Sequence, residues 1–345
     1  MRKLCVLLLA DDKPGHYHLA EGVIAAMARR RPVDVSRIEV RRHRVFPGRA
    51  LAEALSSGLM SPAGVMRLAY GIRVEALGEA DVIVSAGGDT IVPSAALAKA
   101  MGARNVFCGT LRRLPPEHFD LIISSYQSHA GLPRHLVSLK PNAMDPDAPE
   151  RRRPQPPVFR HGYPVAAGLL VGGDSGLFRY AAAEWSRLIA FLRATHEAGG
   201  TRWLISTSRR TSSEAADAFA AFVAADPAVA EILDYRVAGP GTLPRLFARA
   251  DAIVATEDSS TMISEAVSQR LAVVGVSPEQ HSFKAEEAEY RALLKANDWC
   301  RFVPIAELTP ERFRDALAEI HPMRENHLDR LADALAEHLP ELALG

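Results

Sequence analysis

The sequence predicts an α/β protein of two Rossmann-like domains whose parallel sheets face a cleft. Short apolar runs alternate with amphipathic helical patterns in both halves of the 345-residue chain, which is typical of βαβ units with sheets buried on both faces. Seven prolines within residues 141–164 separate the halves, because proline lacks an amide donor and disfavours helix before it. A hydrophobic content of 48% and a charged content of 24% exclude a disordered or fibrous chain.

Each predicted domain has its own series of strands. The first domain spans residues 1–150, with strands expected at 4–10, 33–40, 82–86, 105–109 and 121–125. The second spans residues 151–322, with strands expected at 166–171, 203–207, 235–238, 252–256, 271–276 and 301–304. Helical patterns lie between the strands, and a last amphipathic helix over 323–344 is expected to pack back on the first domain.

Overall charge and cysteine content narrow the classes of partner. The 41 basic and 41 acidic side chains balance, so the composition does not indicate a nucleic-acid-binding protein. No apolar run reaches the roughly 20 residues of a membrane span, and the apolar start is too short for a signal peptide. Three widely separated cysteines suit free thiols in a reducing cytoplasm rather than disulfides or a zinc site. We therefore expect a cytoplasmic protein.

The charge is unevenly distributed along the chain. Residues 1–153 contain 22 Lys/Arg against 15 Asp/Glu, while the rest contains 19 against 26. Arginine clusters at 29–31, 41–44 and 112–113 could bring the first domain to anionic lipid or to a phosphorylated acceptor, which would make the protein peripheral to the inner membrane. A solvated surface, or attraction between two oppositely charged halves, explains the same pattern. Both interpretations stay open.

The loop after the first strand is the main candidate for catalysis. Ligands of doubly wound sheets bind beyond the carboxyl ends of the strands, and this loop follows the first strand directly. Gly15 allows a tight turn and a close approach to a ligand. His16 and Asp12 are residue types that serve as general bases, so they are the predicted catalytic residues; the alternative is a solvated helix-entry loop. His16 and His18 do not share a helix face, so no metal site is predicted.

Glycine-rich and arginine-rich loops follow other predicted strands. Adjacent glycines at 87–88 could place backbone amides near an anion or simply form a tight turn. The loop at 172–176 lacks the Gly-Lys-Ser/Thr of a P-loop, and its α/β context does not suit a chymotrypsin-like serine nucleophile. A diphosphate is the favoured ligand of the loop at 172–176 and of the polar loop at 206–211. In the second loop the forked guanidinium groups of arginine match phosphate oxygens. The predicted contacts are Gly173, Asp174, Ser175, Ser208, Arg209 and Arg210.

The segment from 243 to 278 contains a helix, a strand, a polar loop and a second helix. Ser259 or Ser260 is the expected N-cap of that second helix, whose amino end is a phosphate site. Glu265 lies just over one turn further on, where its carboxylate can accept hydrogen bonds from ribose hydroxyls. The structural alternative is that Ser260 caps and Glu265 interacts with the helix dipole. Asp258 beside a diphosphate would repel it, so this side chain is expected to face elsewhere or to act on the sugar.

This segment is similar to the nucleotide-binding part of GT-B glycosyltransferases, in which the helix start and the glutamate hold the diphosphate and ribose of a UDP-sugar. Taken whole, the chain resembles the Elm-type mitochondrial-fission family, whose bacterial members are sometimes labelled nucleoside-diphosphate-sugar epimerase. The matching pieces are residues 12–16, 172–175, 207–211, 251–265 and 282–284. The resemblance implies a GT-B fold. The first helix opening and the loop at 87–90 depart from the family pattern, which leaves the acceptor open.

Three functions follow from these observations. The leading one is a glycosyltransferase that takes a sugar from a nucleoside-diphosphate sugar, bound as substrate in the second domain, and passes it to an acceptor held by the first. Helix amino ends and arginines would stabilise the leaving diphosphate, so neither a metal nor a separate cofactor is expected. The alternatives are a UDP-sugar 2-epimerase on the same fold and a non-catalytic scaffold that binds a nucleotide sugar or a membrane.

Overall fold

The computed structural model describes residues 2–148 and 156–343, and the chain forms two compact units. Unit 1 comprises Met1–Ala143 and His327–Gly345, and unit 2 comprises Met144–Asn326. Each unit contains one six-stranded parallel sheet, so the predicted α/β class with two parallel sheets is confirmed. The arginines at 151–153, the predicted boundary at 150/151 and the end of the predicted last helix lie outside the described residues.

Unit 1 begins with alternating strands and helices. Its strands are β1 (Leu4–Ala10), β2 (Val33–Glu39), β3 (Val82–Ala86), β4 (Arg104–Cys108), β5 (Leu121–Ser124) and β6 (His135–Val137). Its first helices are α1 (Pro14–Ala28), α2 (Gly48–Ser56), α3 (Pro62–Tyr70) and α4 (Ile91–Met101). The sheet order β2-β1-β3-β4-β5-β6 reverses direction between β1 and β3. The crevice beyond the carboxyl ends of these two strands is therefore a topological switch point, where such sheets bind ligands.

Unit 2 repeats this arrangement with two small additions. Its main strands are β9 (Ala166–Val171), β11 (Arg202–Thr207), β12 (Val229–Leu233), β13 (Ala252–Thr256), β14 (Ala272–Ser277) and β16 (Cys300–Pro304). Two short antiparallel pairs are formed by β7 (Phe159–Arg160) with β8 (Tyr163–Pro164) and by β10 (Phe178–Arg179) with β15 (Gln280–His281). The sheet order β12-β11-β9-β13-β14-β16 reverses between β9 and β13, so this unit has its switch point there.

The helices of unit 2 cover both faces of its sheet. They are α5 (Ala182–Gly199), α6 (Ser213–Ala225), α7 (Tyr235–Ala238), α8 (Leu243–Phe247), α9 (Ser260–Ser268), α10 (Ala285–Ala296) and α11 (Pro310–Ala318). Trp203 on β11 is fully buried and packs near Phe191 and Phe313, which lie on α5 and α11. Because the central strands are buried on both faces, their sequences are continuous apolar runs rather than alternating ones.

One predicted strand of unit 2 is wrong. The sequence predicts a strand at 235–238, but these residues form the short helix α7, and the edge strand is β12. Asp234 begins the helix because its carboxylate accepts a hydrogen bond from the amide of Arg236 at 3.0 Å, and Gly239 ends it with φ of +67°. Asp favours such local bonds to the backbone over an extended strand.

The carboxyl-terminal segment belongs to unit 1 and forms two helices rather than the single one predicted. They are α12 (His327–His338) and α13 (Pro340–Ala343), and the break falls at a proline that cannot continue a helix. Buried leucines of α12 join the core that α1 forms with one face of the sheet: Leu328, Leu331 and Leu335. Arg29 of α1 forms two hydrogen bonds with Asp329 of α12, at 2.6 and 3.0 Å.

The arginine cluster at 29–31 is occupied by contacts within unit 1. Besides the Arg29 pair, Arg30 forms an ion pair with Asp333 of α12. Arg31 is buried and donates a hydrogen bond to the carbonyl of Arg2 at 2.8 Å. Two of the three arginines therefore pair with α12 of unit 1, and the third bonds to the backbone before β1.

Candidate functional site

Asp258 holds together three strand-end loops at the switch point of unit 2. Its carboxylate is fully buried and accepts hydrogen bonds from Arg210 Nε at 3.0 Å and Nη2 at 2.6 Å. The hydroxyl of Tyr180 donates to the same carboxylate at 3.2 Å. Arg210 follows β11 and Asp258 follows β13, so the pair joins two strands that flank β9. Arg210 was expected to contact a diphosphate, and Asp258 to face elsewhere or to act on the sugar; in the structure the two side chains form an ion pair.

The two glycines after β9 are needed because other loops pack directly against them. A Cβ atom on Gly172 would lie 2.1 Å from an Asp258 oxygen, and one on Gly173 would lie 2.0 Å from the carbonyl oxygen of Arg210. The amide of Gly172 donates to Thr256 Oγ1 at 2.7 Å. The buried amide of Gly173 has no acceptor in the described part of the chain. The glycines therefore let three loops meet at close quarters.

The rest of the loop at 172–176 forms a turn rather than leading straight into a helix. Asp174 is exposed, and its carboxylate accepts the amide of Tyr180 at 2.9 Å. The amide and carbonyl of Ser175 both bond to Phe178, which begins β10. Asp174 therefore shapes the turn, and Ser175 lies on it with its backbone already paired.

Arg209 is the available cation of the loop after β11. Ser208 accepts the amide of Arg210 at 3.2 Å and donates its own amide to Thr211 Oγ1 at 2.9 Å, so the loop is closed by its own side chains. Arg209 is exposed, and within residues 156–343 its guanidinium has no hydrogen bond or ion pair. A guanidinium at the carboxyl edge of a parallel sheet is well suited to phosphate oxygens.

Helix α9 begins immediately after Asp258. Ser259 is the N-cap, and its hydroxyl accepts the amide of Met262 at 3.4 Å; Ser260 is the first helical residue. No acidic residue lies in the first turn, so the positive end of the helix dipole is open to an anion. Glu265 follows one turn later with a half-buried side chain, and burial raises the pKa of its carboxyl group to about 7. The described residues provide no hydrogen-bond partner for that carboxyl group.

The switch point of unit 1 contains a histidine paired with a buried carboxylate. His16, in the first turn of α1, lies with Nδ1 2.6 Å from Asp11 Oδ2, and the side chain of Asp11 is only 3% exposed. Asp11 also accepts the amide of Lys13 at 3.0 Å. A Cβ atom on Gly87 would lie 2.1 Å from His16 Nδ1, so the glycine after β3 makes room for the imidazole.

This arrangement fixes which imidazole nitrogen can accept a proton. A neutral His16 that donates Nδ1–H to Asp11 keeps its lone pair on Nε2. Asp12, the second predicted catalytic residue, is exposed and is not the partner of His16. Gly15 has open space around it. Asp11 was missed because the sequence offers two adjacent aspartates, and only the direction in which β1 ends decides which of them turns inward.

A second buried ion pair lies beside the unit 2 switch point. Arg291 of α10 donates to Glu257 Oε2 at 2.7 Å and also to the Glu257 carbonyl oxygen at 2.6 Å. Burial raises the pKa of the Glu257 carboxyl group, and Arg291 opposes that rise. The Arg291 guanidinium lies 4.0 Å from the ring centroid of Phe283, which in turn packs edge-on against His281. Sequence reasoning missed this cluster because Arg291 is 34 residues away from Glu257 on a helix with an ordinary amphipathic pattern.

Comparison with known proteins places the chain in a family. The model of the mitochondrial fission ELM1 family matches residues 14–339. The chain belongs to this family. No curated protein matches the sequence of this ELM1-family chain.

Solved structures similar to this ELM1-family chain have the GT-B fold. A putative UDP-N-acetylglucosamine 2-epimerase from Listeria monocytogenes is 12% identical with a TM-score of 0.55, over 99% of this chain and 98% of that one. The S. aureus MnaA–UDP co-structure is 10% identical with a TM-score of 0.54, over 97% and 96%. The spinosyn forosaminyltransferase SpnP is 13% identical with a TM-score of 0.50, over all of both chains. At such identities the likeness shows the fold, and the predicted GT-B-like fold is confirmed.

The structure also bears on the question of a membrane. Of the helices within residues 2–148 and 156–343, none combines the length and the apolar character that crossing a bilayer requires.

Proposed function

We propose that this protein is a GT-B-like enzyme acting on a nucleoside-diphosphate sugar, with the donor bound at the β9/β13 switch point and the acceptor activated by His16. The observation that supports this most directly is the convergence of three strand-end loops on Asp258. Arg210 neutralises the negative charge of Asp258, so this charge does not oppose an anion near the Arg209 guanidinium, the Gly173 amide and the start of α9 at one edge of the sheet.

Each of these groups has a role toward a pyrophosphate. Arg209 supplies a bidentate donor, and the amides of Gly173 and of the first turn of α9, beginning at Ser260, supply uncharged donors. Together they stabilise the negative charge that develops on a leaving nucleoside diphosphate. Glu265 accepts hydrogen bonds from ribose hydroxyls, which explains why an otherwise unpartnered carboxyl group is retained in a site that raises its pKa to about 7.

His16 performs the proton transfer in this proposal. Its Nε2 takes the proton of the acceptor hydroxyl, and Asp11 holds the imidazole in the required tautomer and stabilises the imidazolium that forms. Asp11 is thus a positioning residue. The names of two solved structures of the same fold, a UDP co-structure and a putative UDP-N-acetylglucosamine 2-epimerase, support a UDP-sugar as the first ligand to test.

Binding of UDP and UDP-sugars by isothermal titration tests the donor site. Replacing Arg209 by Gln is expected to weaken UDP binding about 10- to 100-fold, since a hydrogen bond to a charged group is worth about 1.5–3 kcal/mol. Arg202→Gln is the matched control, because Arg202 is exposed at the opposite end of the same strand. The absence of heat with every nucleotide and nucleotide sugar, from a folded protein, would contradict the proposal.

A UDP-sugar 2-epimerase is the second candidate, because two of the solved structures with this fold are linked by name to UDP or to that reaction. Of the acid and base groups available for it, Glu257 is buried against Arg291, whereas Asp174 is exposed. Incubation with UDP-N-acetylglucosamine in the absence of any acceptor separates the two reactions. Formation of the 2-epimer indicates the epimerase, while release of UDP only when an acceptor is added, with the sugar bonded to that acceptor, indicates the transferase. Tight binding without turnover under either condition indicates a non-catalytic binder.

A further inference from the structure

An exposed carboxylate is held between two cations beside His16. Asp89, which follows the Gly87–Gly88 turn, lies 3.5 Å from Lys13 Nζ and 3.8 Å from Arg113 Nη1. Its side chain is 46% exposed and that of Lys13 is 58% exposed, so both ion pairs are long, hydrated and weak. Lys13 leaves β1 toward α1 and Arg113 lies beyond β4, so the three groups come from loops around the switch point of unit 1.

The place that the Asp89 carboxylate occupies is also suited to an anion from a ligand. It stands directly before Thr90, the N-cap of the eleven-residue helix α4, whose first turn has no acidic residue. The Thr90 hydroxyl does not cap the helix; it donates to the carbonyls of Ala86 and Gly87 at 3.0 and 2.9 Å. The positive end of the α4 dipole and two cations therefore act on one place, and Asp89 is the anion that the chain itself supplies there.

Further donors surround the same place. Arg113 is fixed by a hydrogen bond from Nη1 to the Gly88 carbonyl at 3.0 Å, and it packs against Gly48. The phenol of Tyr70 lies within electrostatic reach of Arg42, Arg113 and Asp89, and burial raises its pKa to about 12, so it remains a proton donor. Tyr70 and Arg42 thus add a protic and a cationic group to the electrostatic surroundings of Asp89.

The position of His16 connects this pocket to the chemistry. Its imidazole packs against Gly87, the residue before Gly88, whose carbonyl binds Arg113. An anion that displaced Asp89 from Lys13 and Arg113 would therefore lie on the far side of a two-glycine turn from the imidazole. An acceptor that carries a hydroxyl group at Nε2 and also an anionic group spans both positions.

We propose that Asp89 occupies the place of a phosphate group of the acceptor, which Lys13, Arg113 and the start of α4 bind when that phosphate displaces it. The inference rests on the proposed function only in calling the ligand an acceptor; the phosphate site itself stands on the contacts of unit 1. The phosphate is a monoester, either on a soluble molecule or in a lipid headgroup, since both present the same oxygens to these donors.

Histidine NMR of the full-length protein tests the site without any activity measurement. The ¹⁵N-labelled imidazole signal of His16, assigned by its loss in His16→Gln, is followed during titration with inorganic phosphate. The expected result is a saturable change in this signal. Asp89→Asn is expected to lower the phosphate concentration at half-saturation about 3- to 10-fold, because the competing carboxylate is removed. Arg113→Gln is expected to raise that concentration at least 10-fold, because a charge-assisted donor is lost.

Arg112→Gln is the matched control, since Arg112 is the exposed neighbour of Arg113 and forms no ion pair within the described residues of unit 1. A His16 signal that does not respond, an equal response in Arg113→Gln and wild type, or weaker binding by Asp89→Asn would each overturn the inference. Because UDP binding is measured separately, at the other unit, failure of the donor site and failure of this site are distinguishable.

A second arm identifies the source of the phosphate. Phosphatidylcholine vesicles with and without 20 mol% phosphatidic acid are pelleted with wild type, Arg113→Gln and Arg112→Gln. Pelleting that requires phosphatidic acid and is lost only in Arg113→Gln supports the site and assigns the phosphate to a lipid. A response of His16 to soluble phosphate without such pelleting supports the site and assigns it to a soluble phosphorylated acceptor.

Discussion

Replacing Glu265 by Gln is expected to stabilise the protein in alkaline solution and to weaken its binding of a nucleotide sugar. The ordinary pKa of this carboxyl group is 4.5, and burial in the folded protein raises it to about 7. Below pH 4.5 the group is protonated in both the folded and the unfolded chain, so it does not oppose folding. As the pH rises from 4.5 to 7 the unfolded chain loses its proton first, and the free energy of unfolding falls.

The full loss is about 3.4 kcal/mol, at 1.36 kcal/mol for each pKa unit, and it is nearly complete one pH unit above 7. About 2.5 kcal/mol of it falls between pH 5 and pH 8. A glutamine cannot ionise, so the Tm difference between Glu265→Gln and wild type should widen by about 5–10 °C from pH 5 to pH 8. Differential scanning calorimetry measures this Tm difference. The control is Glu197→Gln, on the exposed surface of α5, which should show no such widening.

The same substitution distinguishes a carboxylate that binds a ligand from one that is only buried. Ribose hydroxyls donate to the carboxylate, so UDP-N-acetylglucosamine should bind wild type more tightly as the pH rises through 7, and Glu265→Gln should bind it about 10- to 100-fold more weakly at pH 8. This ligand is suitable because its pyrophosphate is a diester that loses no proton near neutral pH. Equal Tm values for variant and wild type at both pH values would refute the burial argument, and equal affinities would refute the ribose contact.

Three further substitutions test other parts of the structure. Arg210→Ala leaves the Asp258 carboxylate buried without its cation, so chemical denaturation should show a loss of about 3 kcal/mol; full stability in this variant would show that Asp258 has another partner. Leu331→Ala, at a core position of α12, should cost about 2–5 kcal/mol and make the carboxyl terminus sensitive to limited proteolysis, and a wild-type cleavage pattern would argue against docking of that helix. Asp11→Asn should lower kcat about 100-fold or more at unchanged UDP affinity, whereas a matching loss of nucleotide binding would contradict a positioning role.

Local sequence patterns were sufficient for the secondary structure wherever burial was uniform. The strands β1, β3, β9 and β13 lie at the residues predicted for them, because a strand buried on both faces must be a continuous apolar run. The strand predicted at 235–238 is wrong because a short stretch of this kind can form either a strand or a helical turn. The local hydrogen bond that Asp234 accepts from the amide of Arg236 favours the helical turn.

The candidate site also divides into a part that the sequence predicts and a part that it does not. The sequence predicts which residues follow parallel strands and so lie at one edge of the sheet: Gly172, Gly173, Arg209, Arg210 and the residues after β13. It does not predict which arginine is free and which is paired, because Arg209 and Arg210 are adjacent and chemically identical. Only the packing of the Asp258 carboxylate against Gly172 and Arg210 separates them.

The amino-acid sequence by itself determined that this protein is an α/β chain with two parallel sheets and that its candidate site residues follow the strands, because apolar runs and turn residues act over a few neighbouring positions. Tertiary structure decided the partners: Asp11 rather than Asp12 for His16, Asp258 for Arg210, Arg291 for Glu257 and Asp89 between Lys13 and Arg113. These pairings join residues that strand order brings together from distant parts of the chain, or they depend on which way a backbone turns, and a linear pattern contains neither piece of information.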